Sequence, residues 1–169
     1  MFIFFLLILG SSCRFLEMEI SSKCYIPDYK QWRSFILLES KGIRAETELL
    51  NWSSFQESLK DFIALQKKRF SLSDRLGQGK DSISTLRVMA RKFNPQTKIL
   101  FFGDRHGDAK SLINMLDLLQ QRGQLNKSDP WKIRDPNLVI VGLGDYVDKG
   151  EQGVEVIQTL LWLALENPN

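Results

Sequence analysis

The sequence predicts an α/β fold: a β-α-β-α unit with parallel strands, preceded by an all-helical N-terminal extension. Three observations carry this. Two apolar runs of strand length, Ile99-Leu100-Phe101-Phe102 and Leu138-Val139-Ile140-Val141, read as buried strands. Each runs into a Gly-Asp loop and then into a helical pattern, and strands that alternate with helices demand a parallel sheet with crossover connections. Between Pro27 and about Phe93, by contrast, apolar residues recur at helix-face spacing only.

The chain opens on nine apolar residues, Met1 to Leu9, followed by Gly10-Ser11-Ser12-Cys13. Nine residues are too few to span a bilayer as a helix but match the apolar core of an export signal. Small residues ahead of Cys13 are similar to a bacterial lipoprotein cleavage site, which would place a lipid on Cys13 and attach the chain to a membrane through its N-terminus. Against this, no Lys or Arg precedes the apolar stretch, and Gly10 stands where such sites carry Leu. A buried N-terminal strand or a misplaced start codon are the alternatives, so export or anchoring stands against a cytoplasmic location, with residues 1–13 as the candidate signal. Cys13 and Cys24 show no metal-ligand spacing; two separate thiols, or a disulfide in an exported chain, are both compatible with them.

Residues 14–96 read as the helical extension. Trp32, Phe35, Ile36 and Leu38 mark a first helix, and Gly42 separates it from a second marked by Phe55, Leu59, Phe62, Ile63 and Leu65. Ser53-Ser54 with Glu57 is the expected capping signal of that second helix. Lys67-Lys68-Arg69 reads as its solvated end. Asp74 to Lys80 reads as a loop and Ser82 to Lys92 as a third helix.

Asn94-Pro95 closes the extension, since the residue before proline is pushed out of the α basin. From there the reading over 97–169 is strand 98–102, a loop, a helix from about Asp108 to Gln121, and a polar loop through Gly123, Asp129-Pro130 and Asp135-Pro136. Strand 138–143, a second loop and a helix from Glu151 to about Glu166 follow. Both strands are apolar on both faces, the signature of strands covered on each side; unless helices from residues 27–93 supply that cover, an unpaired sheet edge and an exposed apolar face are expected.

A hydrophobic content of 43% with 25% charged residues belongs to a globular chain and not a disordered one. The net charge of +3, from 23 basic against 20 acidic residues, lacks the clustered basic face of a nucleic-acid binder, and no nucleic-acid partner is expected.

The chemistry sits in the two loops, Gly103-Asp104-Arg105-His106-Gly107-Asp108 and Gly144-Asp145-Tyr146-Val147-Asp148-Lys149-Gly150, with Asp145 falling 41 residues after Asp104. Both follow strand ends, where open α/β sheets hold ligands, and carboxylates with an imidazole suit Mn, Fe or Zn dications. Each residue alone also fits a plain turn or a structural histidine. In order and together, they resemble the first two signature blocks of the calcineurin-like metallophosphoesterases, G-D-x-H-G and G-D-x-x-D-R-G. The resemblance covers residues 98–169, roughly the first half of that family's catalytic domain, and looks most like the serine/threonine protein phosphatase branch and its diadenosine tetraphosphatase-like bacterial relatives.

The resemblance implies the first half of a metallophosphoesterase sandwich and a phosphorylated substrate, a phosphoprotein or a small phosphoester. It also implies two divalent ions (Mn, Fe or Zn), which in such sites lie ~3.5–4 Å apart and generate and clamp the attacking oxygen. Asp104 and His106 match ligands of the first ion, and Asp145 matches the carboxylate shared between both. Asp148 matches the residue that orients the catalytic histidine of a third block, G-N-H-[ED], which would fall after Asn169. Lys149 stands where the family carries a phosphate-gripping arginine. Two residues depart from the pattern: Arg105 puts a cation between two ligands, and Lys149 lacks the bidentate fork of arginine. With three ligands and one histidine, this chain alone is expected to hold metal weakly and turn over near background. A non-catalytic remnant, or a binding fragment, is the alternative from a different class.

Overall fold

A computed structural model describes residues 7–10, 25–43, 49–73 and 93–168. The elements are β1 (Leu7–Gly10), α1 (Tyr29–Glu39), α2 (Trp52–Ser73), β2 (Lys98–Phe102), α3 (Ala109–Gln121), β3 (Leu138–Gly142) and α4 (Gly153–Glu166). The α/β arrangement with a helical N-terminal part is therefore as expected. Cys13, Cys24, the loop over 74–80 and the helix over 82–92 lie outside the described residues. Among the described residues, no helix is long and apolar enough to cross a membrane.

Among the described residues, three strands form one sheet in the order β1-β3-β2. β2 and β3 run parallel, with Leu100 beside Ile140 and Phe102 beside Gly142. β1 adds to the opposite edge of β3, antiparallel, with Leu9 beside Ile140. Leu7–Gly10, at the end of the apolar stretch, thus forms a sheet strand. Central β3 is buried at all five positions, as a strand covered on both faces must be.

β2 keeps the open edge and the exposed apolar face expected in the absence of helical cover. Side chains alternate across a strand, so Leu100 and Phe102 share the core face with Leu138 and Ile140, and Ile99 and Phe101 share the other face with Val139 and Val141. Phe101 is 59% exposed and Ile99 39%, so double cover holds for β3 and fails for β2. The physical reason is position: β2 is an edge strand, and its outer neighbour is missing among the described residues.

Helix α3 buries Ala109, Leu112, Ile113, Leu116 and Leu119, a stripe at three- and four-residue spacing. Asp108 caps it by accepting from the Ser111 backbone at 2.9 Å. Eight consecutive residues of α4, Gln158 to Leu165, are buried, which requires neighbours all round. Those neighbours are α2, α3 and β1. α1 contributes Trp32, fully buried, whose ring meets Trp162 edge-on at 4.7 Å and whose indole N–H donates to Thr159 at 2.9 Å. Tyr29 stacks edge-on against Trp131 at 5.2 Å, and its hydroxyl donates to Asp117 of α3, which also accepts from Arg33. Burial, with Asp117 beside it, holds the Tyr29 hydroxyl well above its ordinary range. Residues 29–39 and 109–166 therefore close one core.

The helical spacing over-reads in places. Leu38, Leu59 and Ile63 sit on exposed faces, while Trp32, Phe35, Ile36, Phe62 and Leu65 are buried. α2 begins at Trp52, and its cap is Asn51, which accepts from the Ser54 backbone at 2.8 Å, in place of Ser53-Ser54 with Glu57. An amide side chain two residues before Ser53 satisfies an orphan donor of the helix's first turn. α2 also runs to Ser73, so Lys67-Lys68-Arg69 lies within the helix and does not end it.

Candidate metal centre

Both motif loops leave the carboxyl ends of adjacent parallel strands, β2 and β3, and main-chain hydrogen bonds lace them together. Leu143 N–H donates to Phe102 O, Arg105 and His106 N–H both donate to Asp145 O at 2.8 and 3.0 Å, and Gly107 N–H donates to Tyr146 O at 2.9 Å. Gln152 N–H, just ahead of α4, returns to Gly107 O at 3.2 Å. With the loops joined through their backbones, the side chains are free to face outward into one place.

The five candidate site residues share a backbone signature. Asp104 (φ 32°), His106 (φ 45°), Asp145 (φ 52°), Asp148 (φ 87°) and Lys149 (φ 56°) are the non-glycine residues at positive φ among the described residues. L-residues avoid this region at a cost of about 1–3 kcal/mol each, and such strain gathers at active and ligand sites. The sequence motifs and the strained backbone thus select the same residues, by unrelated criteria.

Their side chains converge. Asp104, His106 and Asp145 each place one ligand atom within 4.8 Å of the other two. His106 Nδ1 lies 2.6 Å from Asp148 Oδ1 and 3.4 Å from Asp145 Oδ1, and Lys149 Nζ lies 3.4 Å from His106 Nε2. Two carboxylates and an imidazole at this separation are a donor set that fits a borderline or hard dication. Asp148, matched by resemblance to the residue that orients a third-block histidine, is hydrogen-bonded here to His106.

Arg105 does not place its charge among the ligands. Its guanidinium lies over the Phe102 ring, 5.2 Å from the centroid, with Nη2 3.6 Å from Met115 Sδ. Burial lowers its pKa, with Asp108 opposing, and Nε has no hydrogen-bond partner among the described residues. Its position between two ligands is resolved by the strand-to-loop turn, which sends Asp104 and His106 one way and Arg105 the other.

The sequence reading missed the contact of Asp148 with His106 and the inward turn of Arg105. Phe102 and Met115, apolar partners 3 and 10 residues from Arg105, are the only sequence signal for the latter. Neither the fixed φ values nor the His106 ring partners have a sequence signature.

The family model for calcineurin-like phosphoesterases matches residues 97–167. No curated protein and no solved structure matches the chain. The two Gly-Asp loops, the parallel strand pair and the converging donors all lie inside the segment that is similar to the calcineurin-like phosphoesterases.

Proposed function

We propose that this chain carries part of a metal-dependent phosphoesterase of the serine/threonine protein phosphatase type, acting on phosphomonoesters of a phosphoprotein or small molecule. The single observation that supports it is the meeting of Asp104, His106 and Asp145 within 4.8 Å. These three would hold the dication, and Mn, Fe and Zn all suit them. When bound, such an ion supplies Lewis acidity and positive charge to the phosphoryl oxygens. Lys149, exposed beside the triad, contributes a second cation that a phosphate oxygen can reach. The loops position these groups by main-chain hydrogen bonds, so orientation costs little when substrate arrives.

Three donors hold an ion less firmly than the fuller set of a two-ion site, and no second histidine is available to protonate a leaving group. The 169-residue chain alone is therefore inactive or close to it. The test uses the full chain with Mn2+, p-nitrophenyl phosphate and inorganic phosphate. Hydrolysis near background is expected, together with phosphate binding that requires Mn2+ and weakens in Lys149→Met. Phosphate binding indifferent to both Mn2+ and Lys149 would contradict the reading.

A further inference from the structure

A cleft of about 690 Å³ opens at the amino ends of β2 and β3, at the far end of both strands from the metal centre. Its walls carry Lys98 at the start of β2, Arg122 at the end of α3, and Arg134 with Asp135 in the loop that leads into β3. Three cations thus face one carboxylate. That carboxylate is already engaged, since Asp135 accepts from Lys98 Nζ at 2.9 Å and from the Asn137 backbone at 3.0 Å. The guanidinium groups of Arg122 and Arg134, both exposed residues, have no acceptor among the described residues.

The carboxyl end of a helix ordinarily repels anions through its bare carbonyls. Here the last turn of α3 is closed: Leu118 O, Leu119 O and Gln120 O accept from the N–H groups of Arg122, Gln124 and Gly123. Gly123, at φ 71°, supplies the left-handed residue of this turn, and a Cβ there would meet nothing within 4 Å, so the cleft is open above it. The frame is also fixed. Arg134 and Asp135 N–H both donate to Gln124 O, at 2.9 and 3.1 Å, and Lys98 N–H donates to Asn137 O at 2.7 Å. The main chain therefore sets the walls against one another before a ligand arrives, which lowers the ordering cost of binding.

We propose that this cleft is a second anion site, distinct from the metal centre, which takes a small ligand carrying two or more phosphoryl groups. Its volume is that of a small-molecule site and exceeds what a single phosphate fills. Two guanidinium forks match the paired oxygens of phosphoryl groups, a fit that lysines lack. No aromatic ring lines the cleft, so the anionic groups supply recognition and not a stacked base.

The test is calorimetric titration of the full chain with inorganic tripolyphosphate in EDTA, so that no dication contributes, with 15N–1H spectra locating the ligand. Saturable one-to-one binding is expected, with shifts at the Gly123 and Gln124 amides and none at Gly107 or Gly150. Arg122→Gln and Arg134→Gln should each weaken binding about tenfold or more, the loss of a charge-assisted hydrogen bond, with circular dichroism unchanged. Lys127→Gln removes an exposed positive charge that does not line the cleft, and should leave the affinity as it was.

A Lys127→Gln chain weakened as much as the arginine variants would assign binding to general positive charge and overturn the proposal. So would shifts confined to the two metal loops, tighter binding of an oligo-aspartate peptide than of tripolyphosphate, or no binding by the wild-type chain. The measurement needs no metal, so it stands or falls independently of the metal centre.

Discussion

Gly107 and Gly150, one from each motif loop, pack backbone to backbone. A Cβ on Gly107 would stand 2.8 Å from the Gly150 carbonyl oxygen, and a Cβ on Gly150 would collide with the carbonyl oxygen of His106. Gly107 also sits at φ +75°, where an L-side chain is strained. The close approach brings the two loops near enough for Asp145 O to accept from both Arg105 and His106.

Gly107→Ala should therefore separate the loops. We expect a stability loss of about 1–3 kcal/mol in chemical denaturation, together with loss of Zn2+ or Mn2+ binding even though no ligand is altered. Unchanged metal binding in a folded Gly107→Ala chain would show that the apposition is not what aligns the donors.

The N-terminal helix is tested through Trp32. Its indole is fully buried between α1 and α4 and bonded to Thr159, so Trp32→Ala should cost about 3–5 kcal/mol. Leu38→Ala, on the exposed face of the same helix, should change stability by less than about 0.5 kcal/mol. A shift of denaturation midpoint measures both. Equal, small effects would mean that α1 does not share the core.

Much of this was legible in the sequence, for reasons that particular residues make plain. The apolar run Leu138–Val141 is continuous because β3 is central, and the spacing of Leu112, Ile113, Leu116 and Leu119 follows from one buried face of α3. Asp104, His106 and Asp145 were readable because a Gly-Asp at a strand end is a local pattern. Which strand would keep an exposed face, as β2 does at Phe101, was not, since an edge strand and a central strand can share one composition and differ only in their neighbours. Nor was the cap at Asn51, because Ser53, Ser54 and Asn51 are all competent acceptors and packing of the helix selects among them. The pairing of Asp148 with His106 spans 42 residues and depends on backbone torsions that no spacing encodes.

The open face of β2 predicts association. Phe101 and Ile99 form an exposed apolar strip on an edge strand, a surface that recruits other chains. Light scattering of the wild-type chain should rise with concentration, and Phe101→Lys should suppress it without lowering the melting temperature. A wild-type chain that stays monomeric at high concentration would mean that the strip is covered.

Asp108 gives a pH-dependent prediction. Desolvation opposes its ionisation, but two hydrogen bonds from Ser111 and the charges of Arg105 and Lys110 outweigh it and hold the carboxyl below its ordinary 3.8. A depressed folded-state pKa contributes stability that is fully present above the unfolded value and lost as pH falls through the folded one. Asp108→Ala should therefore cost about 0.5–2 kcal/mol at pH 7. The gap to wild type should narrow as pH drops below 3.8. A gap independent of pH would assign the cost to packing and not to the ionised cap.

The central claim is that Asp104, His106 and Asp145 form one dication site. Electron paramagnetic resonance of free Mn2+ during titration of the full chain tests it most directly, since bound ion leaves the free signal. Weak but saturable uptake is predicted, lost in each of Asp104→Asn, His106→Ala and Asp145→Asn while far-ultraviolet circular dichroism is unchanged. No uptake by the wild-type chain, or uptake that survives all three substitutions, would contradict it.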